Sequence, residues 1–154
     1  MRNYMNKALG LVNEFGKFVD IFSALNVRRP AQEGAADVGD VHAVPFILEC
    51  KNVKSPAVPT FLRQAEVEAR HAGFPYGVAV VKVPRMNVRR GKVHFTVRTW
   101  TRVRRALGLT TQQMRDAYGF AVSLRGLDSG KWYLTTDVEA FTRLVADMRK
   151  GRSY

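Results

Sequence analysis

Apolar positions recur at helical spacing from Asn6 to Leu25, where Leu11, Val12, Phe15, Phe18, Val19 and Phe22 fall on one side and predict an amphipathic helix. The spacing breaks at Arg28 to Gly39, a loop marked by Pro30, Gly34 and Gly39. A β-hairpin follows, with its turn at Val44-Pro45 and the apolar run Phe46-Ile47-Leu48 burying its second strand. Val58 to Ala72 returns to helical spacing, with Val58, Phe61, Leu62, Ala65, Ala69 and Ala72 in one narrow stripe, and Tyr76 to Val83 reads as a buried strand. Lys92 to Arg98 alternates as a strand, and Thr101 to Leu107 reads as a short basic helix. Thr110-Thr111-Gln112-Gln113 has the form of a capping box opening a helix that stops at Gly119. Phe120 to Leu124 and Lys131 to Leu134 form a second hairpin around Gly126 to Gly130, and a helix runs from about Asp137 to Met148. Thr136 and Glu139 sit at capping-box spacing there, which makes Glu139 a helix-start residue and not a catalyst. Strands and helices in this order predict a single α/β domain over 1–154, a mixed central sheet with helices on its faces.

Composition adds a partner class. The 154 residues include 25 Lys and Arg against 13 Asp and Glu, a net charge of +12, with the excess clustered at Arg28-Arg29, Arg85 to Lys92 and Arg98 to Arg105. Such an imbalance suits a polyanion whose phosphates supply salt-dependent affinity. No apolar run has the length of a membrane span, and Met1 to Lys7 lacks the apolar core of a signal peptide. The lone Cys50 has no internal disulfide partner, so a reducing cytoplasm is the expected setting, with Cys50 a small buried residue.

The first hairpin carries the candidate chemistry. Alternation puts Glu49 and Lys51 on one face of the second strand and Cys50 on the other. An even-numbered loop centred on Val44-Pro45 pairs Asp40 directly with Glu49, whereas a bulge or odd loop favours Asp37. Opposed carboxylates repel unless a cation lies between them, and hard oxygen ligands suit Mg²⁺, with Mn²⁺ as substitute. Lys51 adds an ammonium able to steady the charge that builds on phosphate oxygens during hydrolysis. A plain hairpin with a charged exposed face is the competing reading. His42, His71 and His94 show no metal-ligand spacing and read as surface or packing residues.

Arg28-Arg29, Gly34, Asp37-Val38-Gly39-Asp40-Val41, Phe46 to Asn52, Ala65-Glu66-Val67-Glu68-Ala69 and the strand ending Val80-Val81-Lys82 together resemble the Holliday junction resolvase-like nucleases of the PD-(D/E)xK superfamily. The resemblance is to the small forms encoded by actinobacteriophages and their hosts. Trp132-Tyr133-Leu134 with Val138-Glu139-Ala140-Phe141 is similar to the family's final strand and helix, so about two-thirds of the chain is covered, and residues 84–130 have the look of an insertion. The resemblance implies a restriction-endonuclease-like sheet and Mg²⁺ held by Asp40 and Glu49. It implies that Lys51 acts on the phosphate or its attacking water, and that Glu14 completes the metal shell from the first helix. Glu14 precedes Phe15, whereas the family places this acid after the aromatic residue.

The function expected on these grounds is Mg²⁺-dependent cutting of branched DNA, with four-way junctions as the target. A homodimer matches the two-fold symmetry of such a junction. A related nuclease of restriction, repair or end trimming, or an inactive basic DNA-binding protein, are the alternatives. Arg28 and Arg29 are expected to clamp phosphates. Lys82 is expected to contact DNA from its strand end, and Arg89, Arg90, Arg104 and Arg105 to form a gripping arm within the inserted segment. Gln64 is a weaker polar candidate, lying off the apolar stripe of its helix.

Overall fold

A computed structural model of the chain describes residues 27, 28, 40–51, 53, 55–83, 85 and 90–150, and at 27, 28 and 40 it describes the backbone. The first predicted helix, with Glu14, lies outside the described residues, as do Arg29, Asp37 and Arg89.

In chain order the elements are β1 (Val27–Arg28), β2 (Asp40–Ala43), β3 (Phe46–Lys51), α1 (Val58–Ala72), β4 (Tyr76–Val81) and β5 (Lys92–Thr96). There follow α2 (Val97–Leu107), α3 (Thr111–Tyr118), β6 (Ala121–Ser123), a 3-10 turn at Ser129–Lys131, β7 (Tyr133–Asp137) and α4 (Val138–Arg149). Among the described residues the strands form one seven-stranded sheet in the order β1-β2-β3-β4-β5-β7-β6. β3 and β4 run parallel and the other neighbours antiparallel, so the mixed α/β class read from the sequence is what the chain adopts.

The two faces of the sheet are covered differently. Phe46, Leu48 and Cys50 of β3 point into the principal core with Val78, Val80 and Phe95, where Trp100 and Val103 of α2, Met114 of α3 and Phe141 and Leu144 of α4 pack against them. On the other face α1 lies over the sheet through Val58 and Leu62, which meet Ala79 and Tyr133. The Val58, Leu62, Ala65 and Ala69 stripe is buried as its spacing predicts, while Ala72 at its end is exposed. α1 sits close to β4 because small residues face each other there: a Cβ on Gly77 would fall 2.3 Å from the Ala65 carbonyl oxygen.

Three features depart from the sequence pattern. The chain turns helical at Val97, so β5 is shorter and α2 longer than expected, with Thr96 accepting from the Thr99 N–H as N-cap. The segment expected as an insertion is built into the fold: β5 lies between β4 and β7, and Val93, Phe95, Trp100, Val103 and Met114 belong to the principal core. Among the described residues of this segment, Arg90, Lys92, Arg98, Arg102 and Arg105 are exposed on or beside elements of the core. The α3 capping box forms as read, with Thr110 and Gln113 exchanging bonds, but the cap of α4 is Asp137, whose carboxylate accepts from the Ala140 N–H at 2.7 Å. Thr136 instead turns inward and donates to the Tyr118 carbonyl. Asp137→Ala should lower stability by about 1 kcal/mol, the usual loss of an N-cap, and Glu139→Ala, exposed in the same first turn, should cost under about 0.5 kcal/mol. Urea unfolding midpoints check the difference, and equal losses would restore the Thr136–Glu139 box.

Candidate functional site

The first hairpin has the register its sequence predicts: Asp40 pairs with Glu49, Val41 with Leu48, His42 with Ile47 and Ala43 with Phe46, around the two-residue turn Val44-Pro45. Directly opposed residues of an antiparallel pair have Cα atoms about 4.5–5.5 Å apart, so position 40 shares one face and one end of the sheet with Glu49. Glu49 and Lys51, two residues apart on β3, point to that same face and form an ion pair of 3.1 Å. Cys50 between them is buried in the opposite core, as expected.

Glu49 and Lys51 are 4% and 6% exposed, so this is not the charged exposed face of a plain hairpin. β3 is flanked by β2 and β4, and the chain leaving it returns as α1 over this face, where Phe61 lies 5.2 Å from the Lys51 ammonium. Burying two charges costs several kcal/mol per ion before their attraction is counted, and apolar replacements of such pairs are frequently neutral or stabilising. The pair is therefore a poor stabilising device, and its placement calls for a chemical reason.

Carboxylates are hard oxygen donors of the kind that hold Mg²⁺ together with water and substrate phosphate, and the backbone register puts residue 40 opposite Glu49. No group of three or more His, Cys, Asp or Glu side chains is assembled among the described residues, so a third ligand is not provided by them. Glu14, the expected third acid, lies outside them.

Several basic positions gather at the same end of the sheet. The Lys82 N–H donates to the Lys51 carbonyl at 3.0 Å, extending the β3–β4 ladder by one residue. Arg90 is exposed just before β5, and Lys92, opposite Val81, is exposed at its start. Arg28 is not at this end: it pairs with His42, level with Ile47 and Gly77 and four residues from Lys51 and Val81. Arg104 and Arg105 are not brought to this end by any contact of α2. The guanidinium of Arg102, on the same helix, donates to the Pro75 carbonyl and lies over Tyr76, at the start of β4, five residues or about 16 Å of strand from Val81. Arg104 donates to the Leu109 carbonyl and closes the turn after α2. Gln64 is exposed on α1, off the buried stripe as expected. His71 is exposed, and His42 packs on Phe74 with ring centroids 5.0 Å apart.

His94 is the residue whose setting spacing did not reveal. It is buried beside Tyr133, and its Nδ1 lies 2.7 Å from the Thr135 hydroxyl. Alternation along β5 placed it with Lys92 on one face, but which strands flank that face depended on the sheet order. Burial, and secondarily the charge of Lys92, lowers its pKa from 6.5 to about 4. The unfolded chain gains this proton near 6.5, so the stability tied to a neutral His94 is present in full above that pH and is lost as pH falls towards 4. Relative to His94→Asn, the wild type should lose on the order of 3 kcal/mol across that window. Urea titrations at pH 7 and pH 4 read it, and parallel curves for the two proteins would contradict a buried neutral imidazole.

Compared with family models, with curated proteins and with solved structures, the chain finds no match in any of the three. No helix among the described residues is long and apolar enough to cross a membrane.

Proposed function

We propose that the chain is a Mg²⁺-dependent endonuclease of restriction-endonuclease-like architecture that cuts branched DNA, with four-way junctions as its target and a homodimer as its working form. The observation that carries this reading is the β2–β3 register, which sets Asp40 across from Glu49 and buries Lys51 on the same face. In this reading Asp40 and Glu49 hold the ion, and Glu14 is the proposed third acid. When bound, Mg²⁺ makes a water more acidic at neutral pH and neutralises phosphate charge. Lys51 places its ammonium beside the carboxylate, where it can donate to a phosphate oxygen or orient the attacking water. Water adds to phosphorus, the bond to one ester oxygen breaks, and that oxygen takes up a proton. In this reading Lys82, Arg90 and Lys92 at the same sheet end supply phosphate contacts, and Arg28, Arg29 and Arg89 are proposed to add to them. Arg104 and Arg105 would meet DNA only where a long arm of the junction bends round to α2. Two copies related by a two-fold axis would nick the two-fold junction symmetrically.

The test is incubation of the protein with a fixed four-way junction, a flap and a linear duplex, each with Mg²⁺, with Mn²⁺ and with EDTA. Paired nicks in the junction with either metal, none in EDTA, and weaker cutting of linear duplex are expected. Equal cutting of all three would reassign the protein to restriction, repair or end trimming. No cutting of any substrate with either metal, by protein that still binds DNA, would leave a basic DNA-binding protein and defeat the nuclease reading.

A further inference from the structure

Beside the Glu49–Lys51 pair, on the same face of the sheet, lies a cavity of about 220 Å³. Val58 at the start of α1, Val81 at the end of β4 and Tyr133 of β7 wall it on the sheet side, and Val53, Pro56, Lys82, Val83 and Arg125 from the adjoining loops complete it. Val81 pairs with Lys51 on one side and Lys92 on the other. With about 5 Å between neighbouring strands, the cavity begins one strand from the proposed scissile site.

Its lining divides sharply by chemistry. The walls are apolar and aromatic. The cations are Lys82, Lys92 and Arg125, and neither Asp nor Glu lines it among the described residues. Arg125 lies over the Tyr133 ring with its guanidinium carbon 5.7 Å from the centroid, and donates to the phenol oxygen at 3.3 Å. His94, held neutral, adds a polar ring edge-on to Tyr133. Three cations around an apolar interior fit a ligand with a flat uncharged part and an anionic part. Pockets for drug-sized ligands run to about 300–1,000 Å³, so this one has room for a single ring system and not for a larger cofactor. A base within a duplex is stacked and paired and cannot enter a concavity, whereas an unpaired base can be splayed out to meet aromatic and guanidinium planes.

We infer that this cavity takes one unpaired base of a DNA strand, with the adjoining phosphate held by Lys82, Lys92 and Arg125. The choice of DNA rests on the nuclease reading, and the site deepens it: a base captured one strand from the cut anchors an opened strand beside the scissile phosphate. Branch points supply such bases and continuous duplex does not.

Binding is measured in EDTA, where cleavage plays no part, with two fluorescent probes: a thymidine hexanucleotide and a hexamer of abasic residues. The wild type should prefer the base-bearing strand by about tenfold, within the range that stacking supports. Val83→Phe, which fills the cavity from its half-buried edge, should abolish that preference without weakening the abasic probe. The exposed pair Lys92→Ala and Arg125→Ala keeps the test open if Val83→Phe fails to fold: both probes should bind about tenfold more weakly, with a flatter salt dependence. Equal binding of the two probes by the wild type overturns the inference, as does a preference that survives in folded Val83→Phe, or unchanged binding by the Lys92/Arg125 variant. Junction cleavage with Mg²⁺ is assayed on the same preparations. Protein that discriminates between probes but cuts nothing fails the nuclease reading alone, and protein that cuts without discriminating fails the cavity alone.

Discussion

Glu49→Gln should lower junction cleavage by about a thousandfold, the upper range for removing one group that stabilises charge in a transition state, while affinity for the junction in EDTA stays within about twofold of wild type. The amide keeps the volume and an acceptor for Lys51 but removes a negative ligand. The basic positions proposed to grip phosphate are on other strands and loops. Stability complicates the comparison, because Glu49 and Lys51 are a buried pair, and removing one partner of such a pair costs about 3–5 kcal/mol. A second variant separates the two effects. Glu49→Gln combined with Lys51→Met leaves no uncompensated charge, so it should recover most of the lost stability and none of the activity. Cleavage that rises with stability in the double variant would make the pair a structural feature and remove Glu49 and Lys51 from the proposed catalytic site. Asp40→Asn should match Glu49→Gln in activity, and Asp37→Asn should be far milder, since the register pairs residue 40 with Glu49.

That register was legible in part: Phe46-Ile47-Leu48 must be covered, and a slip of one residue would reverse every side chain of β3. The loop length that selects Asp40 over Asp37 stayed open until the Ala43–Phe46 pairing closed a two-residue turn. The helix of Thr111–Tyr118 was plainer, its box and terminal glycine being local signals. The cap of α4 was misplaced by one residue because Thr136 and Asp137 are both good caps, and the inward bond of Thr136 to the Tyr118 carbonyl, between residues 18 apart in the chain, decided between them. The burial of Glu49 and Lys51 was missed for a related reason. A strand read alone shows which residues share a face, but not that α1 returns over that face. The central place of β5 was also hidden, because its partners β4 and β7 are separated from it by loops and by two helices, and the pairing is a choice among non-local partners. The cavity inherits the same difficulty: Val58, His94, Arg125 and Tyr133 come from four separate segments and meet through the sheet order.

Gly77→Ala should destabilise the fold by about 3 kcal/mol, at the top of the range for overpacking a tight core, although it adds one methyl group. The atoms in the way are backbone: the Ala65 carbonyl oxygen at 2.3 Å, its carbon at 2.5 Å and the Glu66 nitrogen at 2.9 Å from the added Cβ. No rotamer change relieves these contacts, so α1 itself must lift from β4. Lifting it withdraws Phe61 from over Lys51, Val58 from the cavity wall, and Glu66 from the Thr96 hydroxyl it accepts from at 2.7 Å. Stability, probe discrimination and cleavage should therefore fall together in this variant. Gly108→Ala is the control. Gly108 ends α2 at φ 70° with nothing within 4 Å of an added Cβ, so it incurs the left-handed backbone penalty of about 1–2 kcal/mol and leaves the site untouched. Urea midpoints and junction cleavage measured for both variants distinguish the cases. A Gly77→Ala protein as stable and active as Gly108→Ala would mean that the close approach of α1 to β4 does not hold the site together.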